Sequence, residues 1–125
     1  MDIEIDGIAD AISEALKQYG DDVTDYVKDT VDETAIKANE AIKAHVTFKG
    51  KEYVKHFRIK TTKDEPYNKE NTWYVSGNYA RLTHLLEKGH QKRNGGRVKA
   101  YPHIKYGQEI AEAMAKKLET EAGAD

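Results

Sequence analysis

The 125-residue chain contains no cysteine, which excludes disulfides, thiolate metal sites and thiol nucleophiles. It has no apolar run near the roughly 18 residues that a membrane-spanning helix needs. Aromatic residues are scarce apart from tyrosine, with one Trp and two Phe against eight Tyr. Tyrosine has an apolar body and a polar tip, which suits half-buried and interface positions. There is no internal repeat and no low-complexity segment. The opening "MDIEIDGIAD" lacks the basic stretch of a signal peptide, so the expected setting is the cytoplasm.

What is present is charge. Charged residues make up 34% of the chain and apolar residues 38%. These proportions suit a single domain with a lean core and a densely charged surface. The net charge of −2 hides a polarised distribution. Residues 1–45 hold twelve acids and four lysines, net −8. Residues 46–108 hold fourteen Lys and Arg and five acids, net +9, and residues 109–125 return to −3. Such asymmetry suits either a nucleic-acid backbone or complementary surfaces on partner subunits. The chain is not basic overall, which favours the second.

Apolar periodicity predicts the elements. Ile5, Ile8, Ile12, Leu16 and Tyr19 recur at helical spacing, with Gly20 as a stop. Val23, Val27, Val31, Ala35, Ala38 and Ile42 form a second helical stripe, which Asp21 or Asp22 would cap. The two stripes fit two helices, or one long bent helix, over 1–45. After His45 the period changes from 3.6 to 2. Tyr53, Phe57 and Ile59 fall on one face of an extended run, with Lys55 out of pattern. Val46–Phe48 reads as a short strand before it. "TWYVSG" is the expected partner strand, and "TKDEPYNKEN" reads as a long, mobile tip between them. These pieces place a β-hairpin over 46–77. A short helix over 78–88 would start at Asn78 and stop at Gly89. A basic glycine-rich loop over 89–101 follows. A C-terminal helix over 102–122 has Pro102 in its first turn and Ile110, Ala111, Met114 and Leu118 as its buried stripe. The expected fold class is α+β, with N-terminal helices and a C-terminal helix packed on a small antiparallel sheet.

The segment "LEKGHQKRNGGRVKAYPHI", Leu86 to Ile104, is the candidate site. Lys88, Lys92, Arg93, Arg97, Lys99 and Lys105 put six positive charges in and beside it, with no acid between Glu87 and Glu109. His84, His90 and His103 match no zinc spacing, and no metal or other cofactor is expected. His90 beside Lys92 and Arg93 would suit a small ribonuclease. No second group stands at a telling spacing for acid–base catalysis, and an enzyme is not expected. "RNGGR" lacks the phosphate-loop pattern, although its exposed N–H groups suit an anion. Base-stacking aromatics are missing from Gly89 to Ala100, which speaks against sequence-specific RNA reading. A docking loop of Lys88, His90, Lys92, Arg93, Asn94, Arg97 and Lys99 is the remaining reading, with a nucleic-acid backbone as its alternative partner. Lys63, Asp64, Glu65, Tyr67 and Lys69 in the hairpin tip form a candidate second contact loop.

The run "YARLTHLLEKGHQKRNGGRVKAYPHI", Tyr79 to Ile104, resembles the signature of minor structural proteins of long-tailed bacteriophages. These are the tail-completion, or head–tail joining, proteins of the neck. "KEYVKHFRIK" is similar to the strand that precedes the signature in that family, and the resemblance covers roughly Gly50 to Leu118. The N-terminal helices match only in type. "FKGKEY" keeps the family's Gly but lacks the Thr that often precedes it. The resemblance implies an α+β subunit without catalytic residues or cofactor. Its partners would be the head connector, the tail terminator or the tail tube. It implies a ring in the virion neck, assembled in the host cytoplasm, and long loops that order only on docking would keep the free subunit monomeric. Passing phage DNA would be a non-specific contact, and no membrane is involved.

Overall fold

The computed structural model describes residues 8–18, 20–47 and 50–123. Five α-helices run in the order α1 (Ile8–Leu16), α2 (Asp21–Ala44), α3 (Lys51–Val54), α4 (Thr83–Lys88) and α5 (Ile104–Gly123). Between α3 and α4 lie β1 (Phe57–Glu65) and β2 (Asn68–Val75), then a 3-10 turn over Gly77–Leu82. Two short strands, β3 (His90–Gln91) and β4 (Arg97–Val98), separate α4 from α5. The fold is α+β: helices packed on a two-stranded antiparallel sheet, with β3 and β4 as a separate small ribbon.

The N-terminal stripes form two helices. Leu16 and Val27 meet Leu118 of α5 in one apolar cluster, with Ile12 and Met114 packed against it. The expected Ile5 and Tyr19 contributions lie outside the described residues, as does the side chain of Ile8. Gly20 takes the N-cap place of α2 without a side-chain cap, so Asp21 and Asp22 sit in the first turn rather than before it. There their charge still faces the positive end of the helix. Val23 is on the wet side, 39% exposed, while Val27, Ala38 and Ile42 are buried.

Ile42 also belongs to the main core, with Tyr53, Phe57, Trp73, Val75 and Ile104. β1 and β2 pair so that Phe57 faces Val75 and Ile59 faces Trp73. The Phe57 and Trp73 rings meet edge-on with centroids 4.8 Å apart, a favoured aromatic geometry. Trp73 Nε1 donates to Asn39 Oδ1 at 2.9 Å, which satisfies the indole and ties the sheet to α2.

Three expectations are corrected here. The extended run does not begin near Tyr53, because Lys51–Val54 forms a helical turn and the strand starts at Phe57. Tyr53 and Phe57 are four residues apart and both buried, and Lys55 fell out of the two-residue pattern because the local period is still helical. Val46 and Thr47 are not in a strand, and Phe48 lies outside the described residues. The long mobile tip does not exist. β1 and β2 continue as regular strands to a turn at Pro66–Tyr67, with one bulge between Thr61 and Lys63. Its residues are polar on both faces, so no alternation marked them as strand. Pro66 supplies the fixed φ that a turn's first central position needs.

The far half of this hairpin is fastened to α2. Asp32 accepts from Lys69 Nζ at 2.9 Å and from Asn71 Nδ2 at 2.9 Å. Asp64 accepts from Lys28 Nζ at 2.8 Å. The hydrogen bond from Asn71, then that from Lys69, holds the Asp32 carboxyl below its ordinary range. A carboxyl whose folded pKa is depressed adds stability above its unfolded value, and that stability is lost as pH falls through the folded value. Asp32→Asn is therefore expected to be less stable than wild type at neutral pH, with the gap closing below the ordinary carboxylate range. The loss is small, since the Asp32 side chain is 43% exposed and such pairs are screened. Urea denaturation of both proteins across a pH series checks it; a gap independent of pH would exclude an ionic origin.

Candidate docking surface

The basic segment grows out of the end of α4. Asn78 is not its N-cap: Ser76 precedes the 3-10 turn, and α4 proper begins at Thr83. Gly77 takes φ +68, which only a glycine adopts readily, so the chain turns one residue before Asn78. Gly89 ends α4 as expected, with φ +73 and its N–H on the Leu85 carbonyl at 2.7 Å. A β-carbon at Gly89 would come within 2.5 Å of the Val98 carbonyl oxygen. Position 89 must therefore be glycine twice over, for its φ and for the close approach of the returning strand.

The loop expected over 89–101 is a hairpin. His90 pairs with Val98 and Gln91 with Arg97. Lys92 N–H donates to the Gly96 carbonyl at 2.6 Å and closes the tip. Gly95 holds φ +93 inside it. Residues Gln91 to Arg97 are all exposed, as are Lys88 and Lys99. The side chain of His90 lies outside what the structure describes. Arg97 is turned partly inward: its guanidinium donates to the Lys88 carbonyl at 2.8 Å, at the C-terminal end of α4, where a cation is favoured. Lys92, Arg93 and Asn94 are left at the tip, and Lys99 lies 5.7 Å over the Tyr101 ring on its flank.

The base of the hairpin is held by one carboxylate. Glu87 Oε1 accepts the backbone N–H groups of His103 and Ile104, each at 2.8 Å, and Oε2 accepts that of Lys105 at 3.3 Å. The end of α4 thereby caps the start of α5 across the whole intervening segment. Tyr101 N–H adds a bond to the Leu86 carbonyl at 2.7 Å. Pro102 lies just before α5 rather than in its first turn, which leaves the first helical N–H groups available to Glu87.

His103 completes this joint and is fully buried. Its Nδ1 faces two acceptors, the Tyr101 carbonyl at 2.7 Å and Glu87 Oε1 at 3.1 Å. In the neutral ring Nδ1 therefore carries the proton, and Nε2 accepts the Tyr53 hydroxyl at 2.8 Å. Burial pushes the Tyr53 phenol above its ordinary range, the Thr83 hydroxyl opposes the rise and the Glu87 charge adds to it. Tyr53, His103 and Glu87 thus form a connected polar chain inside the core, and the distances account for each of them as a structural element. Neither Glu87 nor Tyr53 stood out in the sequence as a functional position. The single available signal was that Glu87 is the last acid before a stretch of twenty-one residues, Lys88 to Gln108, without one.

The expected second contact loop is reshaped. Lys63, Asp64 and Glu65 lie on β1, Tyr67 in the turn and Lys69 on β2. Asp64 and Lys69 are spent on the ion pairs to α2, while Lys63, Glu65 and Tyr67 stay exposed. The structure does not bring this hairpin end together with the basic one into a single site.

Among the described residues no group of three or more His, Asp or Glu is placed to hold a metal, and no helix is long and apolar enough to cross a membrane. A cavity of about 200 Å³ lies between α1, α2, α5 and β2, walled by residues such as Val31, Ala35, Ala38, Trp73 and Met114. Small side chains on facing helices leave this space open. Compared with known protein families, characterised proteins and solved structures, the chain matches none.

Proposed function

We propose that this chain is a structural assembly subunit that docks onto partner proteins through the tip of the β3–β4 hairpin. Taken with the resemblance of Tyr79–Ile104 to head–tail joining proteins, its place is the neck of a long-tailed bacteriophage, between head connector and tail. The observation that carries this reading is the contrast between the two ends of the hairpin. Its base is fixed by the Glu87 carboxylate on three backbone N–H groups. Its tip offers Lys92, Arg93 and Asn94 to solvent with Lys88 and Lys99 at its flanks. A rigidly mounted, exposed cationic tip loses little entropy when a partner orders it. An acidic partner surface would both steer and orient it.

A nucleic-acid backbone is the second reading, favoured by the same cationic tip. Paired Lys92→Ala and Arg93→Ala substitutions test whether the tip docks at all, and DNA binding by the wild-type protein separates the two readings. Neither side chain makes a hydrogen bond or ion pair among the described residues, so the fold is expected to keep its thermal stability. In a phage dependent on this protein, head–tail joining is expected to fall with the loss of both charges. At about 1.4 kcal/mol per charge the affinity for the partner drops roughly a hundredfold. Unchanged phage titre would exclude the hairpin as the docking element. Tight binding of the wild-type protein to DNA with a steep salt dependence would move the assignment to nucleic acid.

A further inference from the structure

We infer that Asn94 is a site of spontaneous covalent modification: deamidation through a cyclic imide with Gly95, which turns the hairpin tip from purely cationic to mixed charge. This inference stands independently of what the hairpin docks onto.

The reaction needs three things at one asparagine. The side-chain carbonyl must be free to swing toward the next backbone nitrogen, that nitrogen must be unshielded, and the local backbone must be able to rotate into the ring geometry. Asn94 meets all three. It is exposed, and it makes no side-chain hydrogen bond among the described residues. The following residue is Gly95, which has no side chain to screen its nitrogen, and the space where a β-carbon would sit is empty to 4 Å. Gly95 already sits at φ +93, a region in which glycine rotates freely. Its N–H is held only by a long bond of 3.3 Å to the Lys92 carbonyl, weak by ordinary geometry. Lys92 and Arg93 add positive charge beside the nitrogen, which favours the deprotonated amide that attacks.

The other asparagines among the described residues are protected. Asn39 sits in α2 with its carbonyl on Trp73 Nε1. Asn71 lies in β2 with both side-chain ends engaged, by Thr61 and by Asp32. Asn68 lies in β2 before Lys69, and Asn78 is held in the 3-10 turn before bulky Tyr79.

In the first step the Gly95 nitrogen bonds to Asn94 Cγ and the Cγ–Nδ2 bond breaks. The amide proton leaves with Nδ2 as ammonia, and a five-membered imide remains. Water then opens either imide carbonyl. Opening at Cγ gives aspartate in the normal backbone. Opening at the Asn94 main-chain carbon gives an iso-aspartyl link, with one extra carbon in the main chain. Both products place a carboxylate among Lys92, Arg93 and Arg97. The iso form also displaces the Lys92–Gly96 bond that closes the tip. Since attack requires the deprotonated amide, the rate rises with pH.

The test is a peptide map of the whole protein, held folded in mildly alkaline buffer and sampled over time, beside the same protein held in guanidinium. Asn94 is expected to convert at least roughly tenfold faster than Asn39, Asn68, Asn71 or Asn78, the effect of a barrier lower by about 1.4 kcal/mol. Both normal and iso-aspartyl products are expected at 94, with loss of retention on a cation exchanger. Asn94→Gln is expected to keep the fold and abolish the shift in retention. Earlier conversion of another asparagine in the folded protein would overturn the proposal. So would an Asn94 that stays intact when folded over the time in which the unfolded chain converts.

Discussion

Glu87→Ala is expected to lower the unfolding free energy by about 2–4 kcal/mol, more than any single surface change in this chain. The Glu87 side chain is only 10% exposed, so water does not readily replace it. The substitution removes the acceptor from the N–H groups of His103 and Ile104 and from the far side of the His103 ring. Buried donors deprived of an acceptor cost about 1–3 kcal/mol each, and the positive end of α5 loses its counter-charge as well. Glu87→Gln retains one oxygen acceptor and is expected to lose about half as much. As a control, Glu52→Ala removes an exposed pair with Lys55 and is expected to cost no more than about 0.5 kcal/mol. Chemical denaturation gives the energies. Hydrogen exchange locates the cause: protection is expected to fall first in the β3–β4 hairpin and the first turn of α5. Loss spread evenly over the chain would mean that Glu87 is not the clamp of that joint.

Gly107→Ala is expected to destabilise by about 1–3 kcal/mol, although alanine is the better helix former by about 1 kcal/mol. Gly107 is buried in α5, and its missing β-carbon leaves room for α2. A methyl there would come within 2.5 Å of Ile42 Cδ1, 2.7 Å of Ile42 Cγ1 and 3.1 Å of the Ala38 carbonyl. Ile42 is fully buried and cannot swing aside without disturbing Trp73 and Ile104 in the same cluster. Ile42→Ala alone is expected to cost about 2–5 kcal/mol through the cavity it leaves. The two changes should couple. With Ala at 42, the added methyl at 107 enters the vacated space, and its cost is expected to fall by at least about 1 kcal/mol. Additive losses in the double-mutant cycle would place the origin of the Gly107→Ala effect elsewhere than in this contact.

Glycine 107 also marks where reading the sequence stops. A glycine inside a helical pattern announces a weak point or a close neighbour, and only the neighbour's position decides which. The α5 stripe of Ile110, Ala111, Met114 and Leu118 was legible because its period is local. The same holds for Val27, Ala38 and Ile42 on α2, for Gly89 as the end of α4, and for the exposure of the basic tip. Tyr53 shows the opposite case. Two-residue and four-residue spacing both place it with Phe57, and packing under the sheet selected the helical turn. Lys63 to Lys69 read as a loop because strands polar on both faces leave no periodic trace, and the ladder that orders them depends on the partner strand and on Asp32 of α2.

The sequence by itself determined the class of fold, the helical stripes and the cationic segment, because composition and period act between residues a few positions apart. The Asn94–Gly95 pair is adjacent in the sequence, but its exposure comes from the tertiary structure. The tertiary structure alone decided that the cationic segment is a hairpin rather than a loop, that Glu87 closes its base, and that His103 belongs to the core. Those depend on contacts such as Tyr53 with His103, fifty residues apart in the chain, and no local pattern encodes which distant acceptor a buried donor will meet.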